Sequence, residues 1–415
     1  MSANAVSSNT RATRAFVIVG GGLAGAKAAE ALRGGGFDGT ISLIGEEGHL
    51  PYERPPLSKD YLAGKADRDS VFVHDQAWYH QQEVDLRLGN PATAIDRAAR
   101  QVLLADGVRL PYDKLLIATG ARPRRLADAS GAHYLRTIDD SDRLKEILAT
   151  GSHLAVIGGG WIGLEVAAAA CQAGLQVTVL ESLELPLVRV LGPQMAQVFA
   201  DLHRSAGVDL RLGVRIHEIL QRGGKAAGVR LDDGTTIGAD AVLVGIGATP
   251  NTGLAADAGL EVSNGIVTTA SLRTSDPDIF AAGDVASAFH PLLGEHVRVE
   301  HWANALKQPA VAAAAMLGQD ASYEELPYFY TDQYDLGMEY VGHVSGGYDQ
   351  VVVRGDLEAR QFIAFWLKDG RVKAGMNVNI WDVADSIKVL IRSGQAVSAQ
   401  ALADPGRALS DLVPG

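Results

Sequence analysis

Short apolar runs that end in a glycine cluster and give way to alanine-rich segments occur twice in this chain. Phe16-Val-Ile-Val19 leads into Gly20-Gly-Gly22-Leu-Ala-Gly25, and Leu154-Ala-Val-Ile157 leads into Gly158-Gly-Gly160-Trp-Ile-Gly163. A short apolar run bounded by glycine predicts a buried strand, and the longer alanine-rich run predicts a helix. A second apolar strand follows each copy, TISLIG in one and VTVL in the other, and each closes on an acid, Glu46 or Glu181. Those acids stand 21 and 18 residues beyond the third glycine of their copy, where a spacing of roughly 20 marks a dinucleotide-binding unit. The first glycine permits the tight turn, the second lets backbone approach a pyrophosphate, and the third packs helix on strand. The free N–H groups at the helix start then hold the phosphates. Two complete copies predict two dinucleotide sites.

The rest of the pattern divides the chain. Residues 15–120 read as the first part of a nucleotide-binding domain ending in DKLLIATG, and residues 121–245 hold the second fingerprint and further strands. From Ile246 to residue 325, loop character is broken by DPDIFAAGDVA, a short strand predicted to return to the first domain, which is then discontinuous. From residue 326 to 415 the composition shifts to aromatics (PYFYTDQY) and alternating runs, with a hairpin signal at Asp369-Gly370. The helix DVADSIKVLIRSG follows, acid at its start and Gly394 after it. The fold class expected is α/β, with two Rossmann-like domains and a small α+β C-terminal domain.

Composition narrows the function. A chain of 415 residues is long enough for roughly two to four domains. A net charge of −12 argues against a nucleic-acid surface. No apolar stretch reaches the ~18 residues of a membrane span, and the first fourteen residues are polar, with no secretory signal. They read as a disordered tail, and the protein as cytoplasmic. The sole cysteine, Cys171, lies in VAAAACQAG and reads as a buried space-filler. One cysteine cannot form the dithiol pair through which disulfide reductases pass electrons.

These landmarks, with LPYERPPLSKDYL at residues 50–62, ATGARPR, YLRT, AAGDVA, RVEHWANA and PYFYTDQY, resemble the FAD-dependent ferredoxin reductases of bacterial oxygenase systems. The resemblance runs from Arg14 to about Gly394 and implies a glutathione-reductase-like fold. It implies FAD on the first fingerprint, NADH on the second, and a C-terminal module that shields the flavin and helps a ferredoxin dock. For FAD it implies Gly20, Gly22, Ala24 and Gly25 at the pyrophosphate, Glu46 on the ribose and Ala92 at the adenine. It further implies Arg136 near the flavin, Asp284 on the ribityl chain and Trp302 at the pyrimidine edge. Asp284 is also placed to cap a helix predicted to start there.

By the same resemblance Lys59, after the stiff turn Pro55-Pro56-Leu57-Ser58, pairs with Glu165 beside the isoalloxazine. Lys59 would stabilise charge on reduced flavin, and Glu165, read as lying in the first turn of its helix, would help seat the nicotinamide. For NADH the implied residues are Gly158, Gly160, Gly163, Glu181 on the ribose hydroxyls, and Gly247 near the nicotinamide. Leu185 stands where the family often has arginine, which with Glu181 disfavours NADPH. Tyr330 replaces the usual tryptophan of the C-terminal motif.

The implied cycle passes hydride from NADH to FAD and then single electrons to a 2Fe–2S ferredoxin, which feeds a monooxygenase or dioxygenase. No metal is required of the chain. Between Ala359 and Arg392 six cations (Arg360, Lys368, Arg371, Lys373, Lys388, Arg392) face three acids (Asp369, Asp382, Asp385), a net +3 that could steer an acidic ferredoxin. Two other readings stand beside this one. One is an NADH oxidase or a flavoprotein reducing quinone or nitrite. The other is a redox-sensing interaction protein of the apoptosis-inducing-factor type.

Overall fold

The computed structural model describes residues 14–412. The tail expected over the first fourteen residues lies, apart from Arg14, outside the described residues.

Strand β1 (Ala15–Val19) turns through the first glycine cluster into helix α1 (Leu23–Gly34), and β2 (Thr40–Ile44) returns parallel to β1. The next two strands of this sheet are β3 (Val84–Arg87) and β4 (Lys114–Ile117). The second copy repeats the plan: β5 (His153–Ile157), α2 (Trp161–Gln172), β6 (Gln176–Leu180), α3 (Val188–Ser205), β7 (Asp209–Arg211) and β8 (Ala241–Val244). Its four strands are ordered β7-β6-β5-β8, all parallel. A short strand β9 (Ile279–Ala281) pairs with β4, so the first sheet runs β9-β4-β1-β2-β3. Parallel strands buried on both faces explain why the sequence shows continuous apolar runs there and not alternation.

The chain enters and leaves the second copy through two antiparallel segments side by side, Ala121–Pro123 and Ala248–Pro250. Helix α4 (Trp302–Met316) packs on α1. A five-stranded antiparallel sheet then follows: β10 (Tyr328–Gln333), β11 (Leu336–Gly342), β12 (Gln350–Asp356), β13 (Gln361–Lys368) and β14 (Arg371–Val378), in the order β10-β11-β14-β13-β12. Asp369 and Gly370 join β13 to β14 with φ of +52° and +71°, as a type I′ hairpin needs. Helix α5 (Ala384–Ser393) covers this sheet and ends on Gly394 at φ +59°. Its N-cap is Val383, so neither neighbouring aspartate caps it, and Asp385 pairs with Lys388 instead.

Three local expectations change. After Gly283–Val285, a single 3₁₀ turn, the chain does not enter a helix but the strand Ala286–His290, which pairs with Gly265–Thr268. Four of that strand's five residues are buried, and this packing decides its conformation. Helix α2 begins at Trp161, which puts Glu165 at its fifth position, past the first turn. Cys171 is only partly buried, its Sγ 3.0 Å from the Ala206 carbonyl oxygen.

The two fingerprints repeat the same close approaches. A Cβ at Gly25 would lie 2.0 Å from the Gly20 oxygen, and one at Gly163 would lie 2.3 Å from the Gly158 oxygen. By contrast, a Cβ at Gly22 would meet nothing within 4 Å. Gly25→Ala is therefore expected to destabilise the protein by about 1–3 kcal/mol through overpacking, whereas Gly22→Ala should leave urea unfolding of the nucleotide-free protein nearly unchanged and act through weaker nucleotide retention. Equal unfolding midpoints for the two variants would contradict this division.

Candidate nucleotide and redox cleft

A cleft of about 1040 Å³ opens where the carboxyl end of the first sheet meets α2 and the first strand of the C-terminal sheet. Its walls include Gly20, Gly22, Ala24, Glu46, Ala92, Arg136, Asp284 and Trp302 from the expected flavin set, together with Lys59, Glu165 and Tyr330. The remaining expected residues lie elsewhere. Gly25 is spent on helix–strand packing against Gly20. Gly158, Gly160, Gly163, Glu181 and Gly247 are not on the cleft wall, although Trp161 and Ile162 at the start of α2 are. Gly160 has open space around it like Gly22, its nearest neighbour for a Cβ being the Gly245 oxygen at 3.8 Å. The Glu181 carboxylate accepts from the Gly159 N–H at 2.7 Å and the Leu183 N–H at 2.8 Å, which ties the strand end to its own loop. Gly247 has φ +103° and its carbonyl accepts from the Arg124 N–H at 2.9 Å, a turn role next to the cleft-lining residues Pro123 and Arg125.

Lys59 reaches the cleft because two prolines open the 3₁₀ turn Pro55–Ser58 and fix its direction. Its Nζ donates to Glu165 Oε1 at 2.7 Å, with Glu165 4% and Lys59 15% exposed. The Ser58 hydroxyl donates to the other carboxylate oxygen. Lys59 Nζ also stands 5.4 Å from the centroid of the Tyr330 ring. That ring meets Trp302 edge-on at 6.1 Å. Burial pushes the Tyr330 phenol up to about 12, so it stays neutral at ordinary pH.

Arg136 Nη2 donates to Asp284 Oδ2 at 2.8 Å. Asp284 therefore takes an arginine in place of the helix cap its sequence position suggested. Arg136 is held in turn by the capping box of the next helix, in which the N–H groups of Arg136 and Thr137 donate to Asp140 at 3.0 and 2.9 Å. Arg54 adds a support that sequence reading missed. It donates to the Arg136 carbonyl, lies 3.1 Å from Glu47 Oε1 and contacts the Tyr52 hydroxyl at 3.3 Å. The segment LPYERPP carried this signal, but its distant partners, the Arg136 carbonyl for Arg54 and the Ile138 N–H for Tyr52, are more than 80 residues away.

The cleft suits a dinucleotide with a planar polar ring system. Three residues of its wall, Arg136, His301 and Trp302, each carry a buried polar atom (Nε, Nδ1 and Nε1) with no hydrogen-bond partner in the protein. Unpaired buried donors and acceptors are rare unless a ligand or water completes them. Open space beside Gly22 at a helix start without a side-chain cap supplies the anion end of such a site. Among the described residues no cluster of side chains could hold a metal ion.

Fold and cleft together define a flavin- and pyridine-nucleotide-dependent oxidoreductase. Residues 14–309 match the pyridine nucleotide-disulphide oxidoreductase family and residues 328–413 match the reductase C-terminal family. The chain belongs to the ferredoxin reductase branch of the pyridine nucleotide-disulphide oxidoreductases. It is 46% identical to the ferredoxin–NAD(+) reductase component of the anthranilate 1,2-dioxygenase system of Burkholderia cepacia, over 94% of this chain and 97% of that one. It is 42% identical to the putidaredoxin reductase of Pseudomonas putida, over 96% of each. The structure of a covalent putidaredoxin reductase–putidaredoxin complex superposes with a TM-score of 0.93 at 40% identity, over 97% of this chain and 98% of that one. Among the described residues no helix is long and apolar enough to cross a membrane.

The cationic segment is less free than its formal charge suggests. Arg360 pairs with Asp335 and Lys388 with Asp385, each at 2.7 Å, while Lys368 and Arg392 donate to the carbonyls of Gly346 and Glu324.

Burial holds His301 down at about 4, against an ordinary value of 6.5. The unfolded chain therefore binds this proton at pH values where the folded chain does not. His301 is accordingly expected to cost up to about 1.4 kcal/mol of stability per pH unit as pH falls from 6.5 towards 4, with no loss above that window. Urea unfolding of wild type and His301→Phe across that range checks it: the variant should show the shallower pH dependence.

Proposed function

We propose that this protein is an FAD-dependent reductase that accepts hydride equivalents from NADH and delivers single electrons to a 2Fe–2S ferredoxin serving an oxygenase. The observation that carries this reading is the convergence of both fingerprint helices on one cleft. The start of α1 and Trp161, Ile162 and Glu165 of α2 share its wall with Lys59, Trp302 and Tyr330. The relatives named as reductase components of oxygenase systems support the choice of acceptor. The chain's sole cysteine excludes an internal dithiol, so electrons leave without one.

When bound, the flavin supplies the conversion between two-electron and one-electron transfer. The residues supply the rest. Gly20, Gly22, Ala24 and the α1 start bind the pyrophosphate, Glu46 the ribose, Ala92 the adenine, and Asp284 with Arg136 the polar tether. Trp302 and Tyr330 exclude water over the ring system, and Lys59 places a fixed cation beside it, where negative charge develops on reduction. Glu165 orients Lys59 and helps seat the nicotinamide. Gly158, Gly160, Gly163 and Glu181 bind NADH, with a carboxylate and no adjacent cation at residue 185 to welcome a 2′-phosphate. Gly247 shapes the turn at the nicotinamide end. We assign FAD to residues 15–120 with 246–325, NADH to 121–245, and flavin shielding with ferredoxin docking to 326–415. A cytoplasmic location fits this partnership.

Purified protein should reduce cytochrome c with NADH slowly alone and at least about tenfold faster with a suitable 2Fe–2S ferredoxin from a small panel, NADPH being far poorer. Prompt flavin bleaching by NADH without stimulation by any ferredoxin would favour direct oxygen or small-molecule reduction. A long-lived reduced complex with NADH-dependent self-association would favour a sensor.

A further inference from the structure

A line of buried polar side chains leads from the cleft into the interior, and nothing in the proposed chemistry uses it. Thr331 and Gln333 stand two residues apart on β10 and so face the same side of the sheet. His203 projects from α3 and is fully buried, while Thr331 and Gln333 are each 1% exposed. Thr331 Oγ1 lies 2.5 Å from Glu165 Oε1, Gln333 Nε2 lies 3.2 Å from Thr331 Oγ1, and His203 Nε2 lies 2.8 Å from Gln333 Oε1. The Tyr334 hydroxyl closes the row, 3.4 Å from His203 Nδ1.

The chemistry of the groups fixes every direction in this row. A carboxylate can only accept, so the Thr331 hydroxyl donates to Glu165 and its oxygen is left to accept from the Gln333 amide nitrogen. The amide carbonyl then points at His203 Nε2, which must carry the proton, and Nδ1 is left as the acceptor for Tyr334. Burial holds His203 below its usual range, consistent with a neutral ring of that one tautomer. All dipoles thus point their positive ends towards Glu165. Hydrogen bonds aligned in a row polarise one another and strengthen most at an ionised end.

We infer that Thr331, Gln333 and His203 are positioning residues that hold the Glu165 carboxylate against Lys59, so that the second nucleotide half and the C-terminal sheet jointly set the geometry of the cleft. This rests on the reading of Lys59–Glu165 as part of the redox site. Each member acts through Glu165 and touches no cofactor itself.

Four variants test it on the flavin-loaded protein: Thr331→Val, Thr331→Ser, Gln333→Met and Glu165→Gln, with each chain-breaking change also made in the Glu165→Gln background. Anaerobic stopped-flow gives the rate of flavin bleaching by NADH, and urea unfolding gives a readout independent of activity. Thr331→Val should slow bleaching about tenfold, as loss of one hydrogen bond to a charged group implies. Thr331→Ser should restore it, and Gln333→Met should slow it about threefold, the link being one step further from the charge. In the Glu165→Gln background the same changes should cost less than about twofold, and their destabilisation in urea should shrink likewise. Equal factors in both backgrounds would mean that these residues only pack the core, and would overturn the inference alone. If Glu165→Gln bleaches at the wild-type rate, the reading of the pair itself fails, and the inference with it. Should Gln333→Met not fold, the Thr331 pair of variants decides.

Discussion

The arrangement of the cleft depends on one buried ion pair. Glu165 lies on a helix of the second nucleotide unit, Lys59 on a proline-stiffened turn of the first, and Thr331 on the C-terminal sheet, and all three meet at one carboxylate. Taking two charges out of water is costly, and losing one partner of such a pair costs about 3–5 kcal/mol because the other is stranded. The pair is therefore weak as a source of net stability and strong as a geometric constraint. It fixes the relative position of three segments from distant parts of the chain at the wall of the cleft.

The polar scaffold around the cleft follows the same principle of fixed donors and acceptors. Asp284 is held by Arg136, Arg136 by the capping box at Thr137–Asp140 and by Arg54, and Arg54 by Glu47 and Tyr52. The polar atoms that this scaffold leaves without partners belong to Arg136, His301 and Trp302, three residues of the cleft wall. Polar groups fixed before the ligand arrives need no rearrangement when charge develops, which is the economical way to stabilise a reduced cofactor.

What could be read from sequence was what is local or periodic. The two strand–glycine–helix units, the returning strand at Ile279–Ala281, the Asp369-Gly370 hairpin and the helix ending at Gly394 each carry their signal within a few residues. Most of the residues expected at the flavin lie on one cleft wall. The helix expected after Asp284 did not form, because the packing of Ala286–His290 against a neighbouring strand outweighs a local capping signal. Thr331 and Gln333 were hidden in an aromatic run, and their partners Glu165 and His203 lie 166 and 130 residues away. No spacing rule reaches across such distances, and only the fold reveals the row. The local partners of Arg360, Lys368, Lys388 and Arg392 in the cationic segment were out of reach for a related reason, since a formal charge count gives the net sign and not the acids and carbonyls each side chain meets.

The most direct test of the central claim is the two-electron midpoint potential of the bound flavin in wild type and in Lys59→Met, measured at one pH by equilibrium titration with a reference dye. A cation held by Glu165 to stabilise the reduced cofactor predicts a potential lower in the variant by roughly 30 mV or more, the equivalent of about 1.4 kcal/mol for a two-electron couple. An unchanged potential with normal flavin content would contradict it and reduce the pair to a structural clasp.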